Sequence, residues 1–99
     1  MGADYYIADS ENGDQVDDPS EDSLFMRLRD LDHDGNSFVT ITPANLGAPW
    51  YASVSVLEEG GYEVEYSDPR HGEHALSVNT DLGEIARELT IWLAHRNTF

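Results

Sequence analysis

The sequence predicts an α+β domain in which an antiparallel sheet of four to five strands carries two helices packed on one face. Three observations lead there. The runs "SFVTIT", "WYASVSVL" and "YEVEYSD" alternate in the manner of strands with one face in water. The last two are separated by "EEGG", which reads as hairpin punctuation. Two other stretches, one early and one at the end, repeat apolar residues at the spacing of a single helix face, and the strands between them follow one another directly. Ninety-nine residues suit one domain, residues 1–99, with a modest core and no room for a second catalytic domain.

"DYYIA" is aromatic and β-branched and suits a first strand, followed by the polar turn "DSENGDQVD". "DDPSEDSLFMRLRDL" then carries helix-start chemistry: Asp18 as cap, Pro19 at the first helical position and Glu21 three residues after the cap. The helix is predicted over Pro19–Leu31, with Leu24, Phe25, Leu28 and Leu31 on its apolar face. In "SFVTIT", Val39 and Ile41 oppose Phe38, Thr40 and Thr42; Pro43 ends the strand and "PANLGAP" is loop. Trp50, Ala52, Val54 and Val56 share one face of the next strand, and Tyr62, Val64 and Tyr66 alternate with Glu63 and Glu65 in the one after. "PRHGEH" is a turn before a short "ALSV" strand. The final helix starts at "DLGE", with Asp81 as cap, Glu84 three residues later and a stripe of Leu82, Ile85, Leu89 and Trp92. The expected core is Leu24, Phe25, Leu28, Trp50, Val54, Val56, Tyr62, Val64, Ile85, Leu89 and Trp92. The opposite, open face of the sheet is expected to display Thr40, Thr42, Tyr51, Ser53, Ser55, Glu63 and Glu65.

Twenty acidic residues oppose five Arg and no Lys, a formal charge of −15. A charge of that size repels nucleic acid and anionic membranes at long range and attracts basic partners, so the expected partner is a basic protein. Adaptation to high salt is the competing explanation of the acidity. The absence of Cys excludes disulfides, thiolate catalysis and Cys-based zinc sites. Apolar stretches such as "WYASVSVL" fall far short of the roughly 20 residues that span a bilayer. The first residues have no basic start and no apolar core of signal-peptide type, and the Gly2 start lacks a myristoylation signal, so the expected location is the cytoplasm.

"DLDHDGNSFVTI" is the stretch most like a chemical motif. Asp30, Asp32, Asp34 and Gly35 match the first half of an EF-hand loop, but its twelfth position is Ile41 and a strand follows where a second helix belongs. A turn ending a helix explains the same residues, with Gly or Asn in a left-handed conformation. His71 and His74 flank Glu73 in "HGEH", without the helical spacing or third ligand of a catalytic zinc site. His33 sits in the acidic loop and His95 near a helix end. No nucleophile elbow, phosphate-cradling loop or dinucleotide fingerprint is present, and the chain is read as neither an enzyme nor a cofactor or metal carrier.

A small acidic domain with alternating strands, Trp50 leading a central strand, the return "GGYEVEYSDP" and a final amphipathic helix resembles the immunity proteins of bacterial polymorphic toxin systems, including those that guard against nucleic-acid deaminase toxins. The resemblance is one of layout and covers about Phe38 to Arg96. It implies a noncatalytic inhibitor that binds a cognate toxin and blocks its active site. Basic clefts of toxins that act on nucleic acid suit an acidic surface, for which Tyr51, Glu58, Glu59, Glu63 and Glu65 are the expected contacts. The alternatives are a nucleic-acid mimic that inhibits a host or phage protein, and a metal-dependent domain built on Asp30, Asp32 and Asp34 with His71 and His74.

Overall fold

A computed structural model describes residues 5–44 and 47–96. The elements in chain order are β1 (Tyr6–Ser10), β2 (Gln15–Asp17), α1 (Glu21–Arg29), β3 (Phe38–Pro43), β4 (Tyr51–Val56), β5 (Tyr62–Asp68), a single 3₁₀ turn (Pro69–His71), β6 (Glu73–Asn79) and α2 (Leu82–Arg96). The strands form one sheet in the order β2-β1-β3-β4-β5-β6, and every neighbouring pair is antiparallel. The α+β class with two helices on an antiparallel sheet is as expected, but the sheet has six strands rather than four or five.

Both extra pieces of sheet lie where local pattern is weak. β2 is three residues long with a single apolar side chain, Val16, too short to show a period. It pairs with β1 because Gly13, at φ +98°, closes a tight turn in which Ser10 N–H donates to Asp14 O at 2.8 Å and Gly13 N–H to Ser10 O at 2.9 Å. β6 reaches well beyond "ALSV", since its register with β5 runs unbroken from Asp68↔Glu73 to Tyr62↔Asn79. The loop read over "PANLGAP" includes residues 45 and 46, and the first strand's Asp4 lies outside the described residues as well.

The first helix starts later than expected. Ser20 is its N-cap, accepting from Ser23 N–H at 3.2 Å, while Asp18 turns away at φ +46° and its carboxylate accepts from the Tyr5 and Tyr6 N–H groups at 2.8 and 3.1 Å. Asp18 therefore holds the start of β1 rather than the start of α1. Asp81 does cap α2, accepting from Glu84 N–H at 3.1 Å.

Alternation sets the two faces of the sheet. Ala8, Val39, Ile41, Ala52, Val54 and Val64 point at the helices and are buried with Leu24 and Leu28 of α1 and Ile85, Ala86, Leu89 and Leu93 of α2, and the two helices pack on each other. Trp50 is buried edge-on between Tyr6 and Trp92, with ring centroids 6.4 and 5.6 Å away. All eleven residues expected in the core belong to it, with Phe25, Val56, Tyr62 and Trp92 partly buried at its margin. Tyr6, Val39, Ile41 and Leu93 join them. Among the described residues no helix is long and apolar enough to cross a membrane.

Candidate functional site

The face of the sheet away from the helices is built by the residues that alternate with the core. Across its middle, Asp9 on β1 opposes Thr40, Thr40 opposes Ser53, Ser53 opposes Glu65, and Glu65 opposes Leu76. One row along, Phe38 opposes Ser55, Ser55 opposes Glu63, and Glu63 opposes Val78. Each expected member of this face, Thr40, Thr42, Tyr51, Ser53, Ser55, Glu63 and Glu65, is on it, because a period of two follows directly from the pleat once the core face is known.

The five candidate contact residues fall into two groups. Tyr51, Glu63 and Glu65 share the open face, whereas Glu58 and Glu59 are exposed at the tip of the β4–β5 hairpin. That tip is closed by Leu57 N–H to Gly61 O at 3.0 Å and Gly60 N–H to Leu57 O at 3.1 Å, with Gly60 and Gly61 both at positive φ. Glu58 and Glu59 thus extend the acidic surface past the Glu63 end of the face instead of joining its centre.

Glu65 is held in a small network. Its Oε2 accepts from the Tyr51 hydroxyl at 3.0 Å and lies 2.8 Å from His74 Nε2 on the neighbouring strand. The hydrogen bond with His74, followed by that from Tyr51, keeps the Glu65 carboxyl below its ordinary range, and the carboxylate in turn pushes the Tyr51 phenol up. Glu65 is therefore a fixed negative charge with a set orientation. Beside Tyr51, a depression of about 440 Å³ is lined by Thr40, Thr42, Ala48, Pro49 and Trp50, giving the face a recess next to its acidic part.

Leu76 and Val78 were absent from the expected face. They stand beside Glu65 and Glu63 and are 59% and 63% exposed. The alternation in "HALSVN" carries the signal for them, but only together with a β6 long enough to make their side of the strand meaningful.

The metal candidates are dispersed or internally satisfied. In the helix-ending loop, Asp32 accepts from Asp34 N–H at 2.8 Å, Asn36 Nδ2 donates to Asp30 O at 3.0 Å, Asp32 N–H donates to Asn36 O at 2.9 Å, and Gly35 adopts φ +92°. His71 Nδ1 lies 3.3 Å from Asp68 while His74 lies on the open face against Glu65, so the two rings of "HGEH" do not converge. No group of three or more His, Asp or Glu among the described residues is arranged to hold a metal ion. His33 Nε2 lies 3.1 Å from Leu57 O, and His95 lines a groove beside α2.

A second polar cluster was not foreseen. Asp68 is fully buried at the end of β5 and receives Arg70 through two bonds of 3.1 Å and Arg96 of α2 at 3.3 Å. Hydrogen bonding from Arg70 holds its carboxyl below the ordinary range against the opposing effect of burial. Arg96 also pairs with Glu73 and stacks on Trp92, 3.6 Å from the ring centroid. The cluster fastens the β5–β6 turn to the last turn of α2. Only the dipeptide Asp68-Pro69 hints at it in sequence, as a turn.

Comparison with protein families, with curated protein sequences and with solved structures finds no match to this chain.

Proposed function

We propose that this protein is an acidic, noncatalytic binding protein, an immunity protein of a bacterial cytoplasm that inhibits a cognate basic toxin acting on nucleic acid. The observation that carries the reading is the open sheet face, where Glu63 and the oriented Glu65 lie among Tyr51, Ser53 and Ser55 in a chain of net charge −15. Rigid strands present these groups, so little ordering is required on binding. A basic cleft that ordinarily receives a phosphate backbone is steered toward such a surface, and once docked the domain blocks access to the cleft.

The test pairs the domain with a toxin domain encoded beside its gene. Inhibition of that toxin is expected, with an association rate that falls as salt rises and falls further in Glu63→Gln and Glu65→Gln. An on-rate identical in both variants removes the open face from the binding site, and the repeated absence of a neighbouring toxin gene across genomes argues against immunity.

A further inference from the structure

β6 is the outermost strand at one margin of the sheet. Its backbone pairs with β5 along its full length, and no strand among the described residues pairs with its other side. The helices do not cover it: every residue from His74 to Val78 is exposed, so the strand meets water on both faces and along its edge. An edge of this kind is a template for another strand, and proteins ordinarily blunt it with Lys, Pro, a bulge or extreme shortness. The opposite margin is blunted, since β2 has three residues and ends on Asp17. β6 carries Glu73 and His74 at its start, but from Ala75 to Asn79 it has none of these devices. Its register is free of bulges, and Ala75, Leu76, Ser77, Val78 and Asn79 form an uncharged run in a strongly acidic chain.

We infer that β6 receives a strand from the basic partner, extending the sheet across the complex; the inference rests on the proposed function and specifies how the partner is held. Charge selects this occupant. Glu63 and Glu65 stand on the adjacent strand on one side, and on the other Glu88 lines a groove of about 420 Å³ beside α2 with Tyr66, Ile91, Trp92, His95 and Glu73, the last already paired with Arg96. An added strand lies two strand spacings from β5, about 10 Å, a gap that an extended Arg or Lys and a Glu span together. A second copy of this chain would instead bring its own Glu63 and Glu65 and its own −15 charge to the same edge.

Shape supports the same occupant. Leu76 and Val78 offer apolar contacts on the open face, while Ala75 and Ser77 on the helix side are small and exposed. Arg70, His71 and Arg96 lie near the Glu73 end, where Asp68 and Glu73 engage them, and His74 sits against Glu65, so the partner's basic residues belong toward Glu63, beside Val78 at the Asn79 end.

A peptide of alternating valine and arginine serves as the probe, alongside the same peptide methylated at its backbone amides. Binding is expected to slow hydrogen exchange of β6 amides by about tenfold or more, and methylation is expected to weaken binding by a similar factor. Equal affinity for the methylated peptide, or unchanged exchange in β6, overturns strand addition while leaving the acidic-face reading to its own test with Glu63→Gln and Glu65→Gln. Failure of the unmethylated peptide to bind at low salt also overturns it. Sedimentation as a dimer with β6 amides already protected overturns it in favour of a second copy.

Discussion

Glu65 shows how one side chain acquires a role from neighbours that are distant in sequence. Alternation alone puts it on the open face, but its bonds with Tyr51 and His74 depend on the pairing of β5 with β4 and β6. Because the carboxylate holds the Tyr51 proton, Glu65→Ala is expected to lower the pH at which Tyr51 ionises, read from ultraviolet absorbance of the phenolate. An unmoved titration would mean that the bond is not kept in solution. Asp68 gives a second prediction. Its folded pKa is depressed, so it stabilises the fold above the ordinary Asp value of about 3.9, and that contribution is lost as pH falls through the folded value. Asp68→Asn is expected to cost about 3 kcal/mol at neutral pH, since it removes a fully buried partner of Arg96, and to flatten the acid side of the stability profile. Chemical denaturation across a pH series checks both.

The elements were legible to different degrees, for reasons visible in particular residues. α2 is strongly patterned and capped, so its start and its buried stripe of Ile85 and Leu89 follow from sequence. In α1 the cap expected at Asp18 is supplied by Ser20, because the N–H groups of Tyr5 and Tyr6 claim Asp18 from across the chain. Ser20→Ala is accordingly expected to cost about 1 kcal/mol, whereas Asp18→Ala acts through the β1 end and leaves α1 helicity unchanged, as amide chemical shifts would report. Leu89→Ala, at a site with no exposure, is expected to cost about 2 to 5 kcal/mol. A thermal shift near zero in that variant would contradict the packing of α2 on the sheet.

For the whole molecule the decisive quantity is charge. Twenty acidic residues on a domain with a radius of gyration of 12.8 Å repel one another, so stability rises when salt is first added, whatever the acidity is for. Partner binding and salt adaptation separate at ordinary ionic strength. A domain made acidic for a basic partner is expected to be folded at about 0.15 M salt, where the screening length is roughly 8 Å. Circular dichroism over a salt series checks this, and an unfolded spectrum at that salt would assign the acidity to brine instead.

What the sequence determined by itself was local and periodic: the faces of β3, β4 and β5, the stripe of α2, the turn at Gly60 and Gly61, and the excess of acid. These follow because side-chain direction repeats every two residues in a strand and every 3.6 in a helix, whatever lies across from them. Tertiary structure decided which segments meet. It placed β1 between β2 and β3, extended β6 along β5, joined Glu65 to Tyr51 and His74, and buried Asp68 against Arg96. Pairing is made by backbone groups that every residue carries, so its partner leaves little mark on composition. A strand such as β6, covered on neither face, has no buried side to betray its length, and its edge became visible only once the rest of the sheet was in place.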